Sequence, residues 1–299
     1  VIATPHWQHT ELAITALRAG LHVVCEKPLA VSVAQADEVL HAAEQGQGRL
    51  TVVFQNRFEP AYQFVKSLLA GGEIGQMIRC EMTETFWRPE AYYKSSRWRG
   101  TWRGEGGGAL VNQAPHILDR YVWLCGMPEN VSGFCDTTLH QIEVEDSVSA
   151  IFRHAGGAHG HIHVSTVECP WISRTVIACD RGRITVENGK VSICRLHDSI
   201  RARTAVETKH FGDIVGETLE FGGTLLNSVE ELLARFYENF ALAVAGLQPL
   251  FVTAAEARQS VELANAIGLS SATGRTVQLP LNRGGYESFL KEKTGAVGR

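Results

Sequence analysis

Cys25-Glu26-Lys27-Pro28-Leu29-Ala30 is the stretch that decides how this chain is read. It follows an apolar run, 21–25, with the pattern of a short buried strand. It precedes Ser32-Val33-Ala34-Gln35, a capping-box pattern that opens a helix over 33–45. A glutamate and a lysine therefore stand after a strand and before a helix. At the carboxyl edge of an open parallel sheet, that position faces a ligand crevice. Upstream, 1–3 repeats the strand pattern and Thr4-Pro5-His6 is its exit turn. Residues 7–19 then place Leu12, Ala13, Ala16 and Leu17 at helical spacing before Gly20. Strand, helix and strand form a βαβ unit with parallel strands and a right-handed crossover. Thr4-Pro5-His6 and Glu26-Lys27-Pro28 are thereby expected side by side on one edge.

Downstream, a strand is expected over 50–54, with Asn56 and Arg57 leaving its end toward the same crevice. A helix over 60–70 starts near Pro60 and stops at Gly71-Gly72. The texture then changes. A long strand over 76–87 leads into a polar, aromatic loop, 88–103, holding Tyr92, Tyr93, Trp98, Arg99 and Trp102. Gly106-Gly107-Gly108 opens a helix running through Leu124, unless Pro115 delays its start. Strands are expected over 130–137, 147–154, 158–167, 174–179, 183–187 and 190–195, with Asn188-Gly189 as a hairpin turn. Ser228-x-x-Glu231 and Thr253-x-x-Glu256 are capping boxes for helices ending near 247 and 273. A short strand over 277–279 and a helix over 286–293 follow. The fold class is α/β: the C-terminal part of a Rossmann nucleotide-binding domain (1–56), then an α+β domain (57–299) with a large, mostly antiparallel open sheet.

Composition bounds the function. Of 299 residues, 44% are hydrophobic and 20% charged, which is ordinary globular chemistry. The net charge of −4 argues against nucleic-acid or anionic-membrane partners. No apolar run approaches the ~20 residues of a membrane span. The seven cysteines are scattered and odd in number, which suits buried thiols in a reducing cytoplasm. Val1 opens an interior strand with no Met before it, so further residues are expected upstream.

Lys27 and His116 are the expected catalytic pair. Oxidising an alcohol by hydride transfer requires removal of the hydroxyl proton, which a histidine accepts near neutral pH. A lysine ammonium polarises the same oxygen. Asn112, four residues before His116, shares its face if one helix holds both. Asn112, Asn56, Trp98 and Arg99 are the expected substrate contacts, Trp98 as a ring that stacks on a sugar. Asp119 reads as a structural helix residue. The glycine run reads as backbone passing close under a ligand, because no Lys-Ser/Thr follows as in a phosphate loop. His159, His161 and His163 alternate on one strand and face one way; without carboxylate or cysteine neighbours on that strand, no metal is assigned to them.

These motifs, in this order, resemble the glucose–fructose oxidoreductase/inositol dehydrogenase (Gfo/Idh/MocA) family. The likeness rests on Ile2-Ala3-Thr4-Pro5 with His9, the Glu26-Lys27-Pro28 turn, residues 106–119 ending at His116 and Asp119, and the tail 271–280. The resemblance implies NAD or NADP and a sugar or polyol substrate. It implies a homo-oligomer, dimer or tetramer, through the open sheet. Thr4, Pro5, His6, His9, Glu26, Lys27 and Pro28 would line the cofactor, and Lys27 and His116 would be catalytic. Asn112 departs from the aspartate usual at its position; an amide accepts no proton, which leaves acid–base work to Lys27 and His116. The family's Gly-x-Gly-x-x-Gly turn is expected upstream of Val1. Two further activities fit the same resemblance: a redox-assisted glycoside-cleaving enzyme, and a non-catalytic sugar or dinucleotide sensor.

Overall fold

The computed structural model describes residues 1–221 and 227–295. The last four residues of the expected 57–299 domain lie outside them. The first sheet is small and parallel. β1 (Val23–Cys25) pairs with β2 (Leu50–Val52). The expected strand at the start of the chain is reduced to a single parallel bridge from Ile2 to Cys25. Only Ile2 engages there: its N–H donates to Val24 O at 2.8 Å and its carbonyl accepts from Glu26 N at 2.8 Å. The crossovers are α1 (Trp7–Arg18) and α2 (Val33–Gln45), which pack together. α2 buries Val33, Ala36, Val39 and Ala42 along one face. Ser32 Oγ accepts from Gln35 N at 3.3 Å, but only this half of the expected box forms, and Gln35 Oε1 is buried without a partner.

A 3₁₀ turn, Gln55–Phe58, leads to α3 (Pro60–Gly71), with Pro60 in the first turn and Gly72 as a left-handed cap at φ 71°. Then follow β3 (Met77–Thr85) and four helices: α4 (Glu90–Lys94), α5 (Trp102–Glu105), α6 (Ala109–Asn112) and α7 (Pro115–Cys125). The single helix expected through Leu124 is thus two, broken at Gln113-Ala114, because Pro115 begins a new first turn. Next come β4 (Asn130–Asp136), β5 (Ser147–Arg153), β6 (His159–Ser165), β7 (Ile172–Cys179), β8 (Gly182–Glu187) and β9 (Lys190–Leu196). The chain continues through α8 (Ile200–Val206), β10 (Gly216–Phe221), α9 (Val229–Val244), α10 (Ala254–Thr273), β11 (Val277–Gln278) and α11 (Arg283–Thr294). Both later capping boxes, at Ser228 and Thr253, form with both hydrogen bonds. The sequence reading had not distinguished α8 and β10.

β3 to β11 make one nine-stranded sheet in the order β10-β9-β8-β7-β3-β6-β5-β4-β11. Among the described residues of this sheet, only β3 and β6 pair in parallel. One face, with Cys80, Met82, Ala150, Ile162 and Val164, is buried in a core shared with α7 and α10. The other face carries His159, His161 and His163, together with Phe134 and Ile151, which are 74% and 61% exposed. The parallel sheet has its own core, which draws in Leu232 and Phe236 of α9 and Ala257 and Val261 of α10. α10 lies between the two sheets. Its Asn265 accepts from Val33 N (2.8 Å) and donates to Val31 O (3.1 Å), so it holds the segment just after Pro28.

Candidate active site

The carboxyl edge of the parallel sheet is where the expected residues meet. His9 is fully buried in α1, and its Nδ1 and Nε2 lie 2.8 and 2.9 Å from the carbonyls of Pro28 and Thr4. The ring ties the two edge loops together, which places it beneath the crevice. The Lys27–Pro28 peptide is cis. Lys27 Nζ donates to the Asn112 carbonyl at 2.7 Å, joining the parallel sheet to α6. Its pKa is lowered, chiefly by burial; Glu26 opposes that and Arg99 adds to it. Glu26 is half-buried and Pro28 buried.

His116 stands at the start of α7, edge-on to Phe54 at 5.7 Å. Burial, with Lys27 and Arg120 nearby, pulls its pKa down to about 3, so the ring is neutral at pH 7. Its Nδ1 is buried and has no hydrogen-bond partner. His6 precedes α1 without a side-chain bond to it; its Nδ1 lies 3.0 Å from Glu105 O, and burial lowers its pKa to about 4. Trp98 stacks edge-on to His6 at 5.6 Å. Thr4 Oγ1 is buried without a partner at the same edge, and Pro5 is exposed beside it.

Asn112 and His116 do not share a helical face, because the break after α6 separates them. Asn112 Nδ2 donates to Glu105 Oε1 and, at 3.3 Å, to Tyr92 Oη. Glu105 and Tyr92 were missed as site residues, although both lie in the aromatic segment and its flank. Glu105 is buried, accepts from Gly100 N at 2.6 Å, and has a pKa raised by burial. Tyr92 Oη also accepts from Gln113 Nε2 (3.2 Å) and from Arg99. Asn56 sits half-buried in the 3₁₀ turn, with its carbonyl accepting from Glu59 N at 3.2 Å.

Two buried supports hold α7. Arg57 pairs with both Asp119 oxygens, at 2.8 and 2.7 Å, and with Glu256 at 3.0 Å. Arg120 pairs with Glu84 at 2.8 Å. Asp119 is therefore the partner of Arg57, which accords with a structural role. The glycine run packs inward. A Cβ on Gly106 (φ 82°) would meet Val31 Cγ1 at 2.7 Å, and one on Gly108 would meet Glu145 O at 2.0 Å. Glu145 Oε1 accepts from Gly108 N and Leu110 N, both at 2.9 Å. The close backbone approach is thus to Val31 and to Glu145, in the segment just before β5. His163 is engaged by Ser149 (2.8 Å) and Glu168 (2.6 Å), and among the described residues no group of three or more His, Cys, Asp or Glu is placed to hold a metal ion. All seven cysteines are free; Cys25, Cys80 and Cys179 are buried as expected, Cys125, Cys135 and Cys194 are half-buried, and Cys169 is exposed.

The site's unpartnered Thr4 hydroxyl and His116 nitrogen, flanking a partly buried ammonium at a parallel-sheet edge, fit the nicotinamide end of a dinucleotide. Residues 1–54 match the oxidoreductase family with an NAD-binding Rossmann fold, and residues 62–185 match the GFO/IDH/MocA C-terminal domain. The chain belongs to the Gfo/Idh/MocA family of NAD-binding oxidoreductases. An uncharacterized oxidoreductase of Escherichia coli K12, YdgJ, is 38% identical over 44% of this chain and 37% of its own length. The chain thus spans well under half of such curated relatives. The scyllo-inositol 2-dehydrogenase (NADP(+)) IolW of Bacillus subtilis is 23% identical over 93% of this chain and 78% of its own. Among solved structures, the WlbA dehydrogenase of Bordetella pertussis, in complex with NADH and UDP-GlcNAcA, superposes with a TM-score of 0.76 at 29% identity, covering 94% of this chain and 78% of that one. No helix among the described residues is long and apolar enough to cross a membrane.

Proposed function

We propose that this protein is an NAD(P)-dependent dehydrogenase acting on a secondary alcohol, or the matching ketone, of a sugar, polyol or sugar derivative. The carrying observation is that Lys27, from the turn after β1, lies near enough to His116, from α7, to lower its pKa, with His116 Nδ1 buried and unpartnered. Residues 1–56 contribute the cofactor edge, with Thr4, Pro5, His6, Glu26, Lys27 and Pro28 lining it and His9 fastening its two loops. Residues 57–299 contribute the substrate wall. A bound nicotinamide supplies hydride acceptance or donation here. Lys27 donates a hydrogen bond to the substrate oxygen and stabilises its developing negative charge. His116, neutral because it is buried beside Lys27 and Arg120, takes the hydroxyl proton. In the reverse direction it returns that proton. The Asn112 backbone carbonyl orients Lys27, and the residue's side-chain amide, which donates to Glu105 and Tyr92, moves no proton. The sugar and polyol reading is supported by relatives named for inositol and levoglucosan dehydrogenation.

The test uses protein expressed from its complete reading frame, with Lys27→Ala and His116→Ala beside the wild type. NAD⁺ and NADP⁺ reduction is followed against a panel of sugars and polyols. Wild-type turnover that falls by about 10²–10⁴-fold in each variant is the expected result. Full turnover in either variant would overturn the assignment. We also propose that a second copy covers the exposed Phe134 and Ile151 face. Sedimentation of wild type and Phe134→Asp/Ile151→Asp checks this, and a wild-type monomer would refute it.

A further inference from the structure

Arg88 and Arg99 are not accounted for by proton handling. Both guanidinium groups lie over the ring of Tyr92, at 5.2 and 4.3 Å from its centroid. Arg99 also lies over Trp98 at 4.6 Å, and Arg88 over Phe86 at 5.9 Å. The Nε of each is buried without an acceptor. Among the described residues no carboxylate forms an ion pair with either; their charge is met by aromatic faces and one phenol oxygen. Glu105, the buried carboxylate on this side, is already committed to Gly100 N–H and Asn112.

This pair belongs to the site. Arg99 donates to Tyr92 Oη, Asn112 donates to the same oxygen, and the Asn112 carbonyl accepts from Lys27. Trp98, beneath Arg99, touches His6. Both arginines lie near enough to Lys27 to depress its pKa further. Two guanidiniums on one ring repel each other, and each presents a planar fork of donors suited to an oxyanion. Stacking holds the forks in place, so little ordering is lost when an anion enters.

We propose that Arg88 and Arg99 form an anion subsite, so that the preferred substrate is a sugar or polyol bearing a carboxylate or phosphate group. This rests on the dehydrogenase reading for the word substrate, but the subsite is testable by binding alone. Titration calorimetry at fixed ionic strength compares D-glucuronate, D-glucose 6-phosphate and D-glucose on the full-length protein. Arg88→Gln, Arg99→Gln and the double variant stand beside Arg97→Gln, an exposed neighbour that removes the same charge outside the stack. At least one anionic sugar should bind about tenfold or more tightly than glucose, the lower range for charge-assisted hydrogen bonds. Glucuronate preference names a carboxylate, glucose 6-phosphate preference a phosphate. The preference should vanish in the double variant and persist in Arg97→Gln, with melting temperatures unchanged. Equal binding of all three sugars, a preference surviving in the double variant, or loss of NAD⁺ binding in place of sugar preference would each overturn the subsite. Anion-selective binding without nicotinamide reduction would instead remove the dehydrogenase reading and leave the subsite standing. Turnover of neutral sugars with no anion preference would do the reverse.

Discussion

Replacing Arg57 by leucine should destabilise the fold strongly, because it strands a buried carboxylate. Arg57 is 2% exposed and comes from the 3₁₀ turn after β2; Asp119, also 2% exposed, lies one helical turn beyond His116 in α7. The two share hydrogen bonds of 2.8 and 2.7 Å, and Arg57 reaches Glu256 at 3.0 Å. Leucine fills part of the volume but leaves the Asp119 carboxylate buried with no counter-charge. Breaking such a pair by removing one partner costs about 3–5 kcal/mol. The Glu256 contact adds under about 1 kcal/mol, because its side chain is 42% exposed and already bonds Thr253. Urea unfolding followed by tryptophan fluorescence reads the loss, since Trp123 lies 5.5 Å from the Arg57 guanidinium. The double variant Arg57→Leu/Asp119→Leu should recover most of it, because no charge is then stranded. Turnover should fall in the single variant, as α7 loses the link that holds His116 against the parallel edge. A single variant within about 1 kcal/mol of wild type, or a double variant as unstable as the single, would refute the reasoning.

Asn112→Asp restores the aspartate that the family resemblance implies, yet it places a second carboxylate against Glu105, where an amide N–H now donates. Turnover near pH 7 should fall about tenfold and recover in part at lower pH, as one proton comes to be shared between the two carboxyls; a gain at pH 7 would contradict this geometry. Gly108→Ala puts a methyl 2.0 Å from Glu145 O and should destabilise the fold by about 1–3 kcal/mol while lowering turnover, read by melting temperature and rate. His116→Phe should change the acid response. The native ring titrates near 3, below its ordinary 6.5, so its contribution is fully present above about pH 6.5 and is lost as pH falls toward 3. Glu145, raised to about 7 by burial, acts in the opposite sense, so the difference between wild type and variant is the quantity to measure. A difference in urea midpoint that stays constant from pH 7 to pH 4 would sink the assignment.

Local signals made most of the elements legible. Ser32, Thr253 with Glu256, and Ser228 with Glu231 satisfy the first N–H groups of their own helices, so the caps are written within four residues. Asn188-Gly189 adopts positive φ, 48° and 81°, as a tight hairpin turn demands. Parallel strand polarity follows from the strand–helix–strand connection, whose crossover is right-handed, and it brought Thr4-Pro5-His6 and Glu26-Lys27-Pro28 to one edge. Lys27 and His116 could be named because their residue types suit the chemistry and their positions follow strand or helix punctuation.

Whatever depended on distant segments was decided by the tertiary structure. β3 lies between β6 and β7, where Cys80 and Met82 are buried in the core beneath α7, and no neighbouring residue encodes that place. α9 packs on the 3₁₀ turn after β2, with Phe236 against Phe58, although about 170 residues of chain separate them, because its Leu232 and Phe236 complete the core of the parallel sheet. The bonds from Asn112 to Glu105 and Tyr92, the Arg57–Asp119 pair and the fastening of two loops by His9 are contacts between elements. Sequence patterns report periods and caps, which are short-range physics; electrostatic pairing and desolvation act through space, and only the folded chain sets those distances.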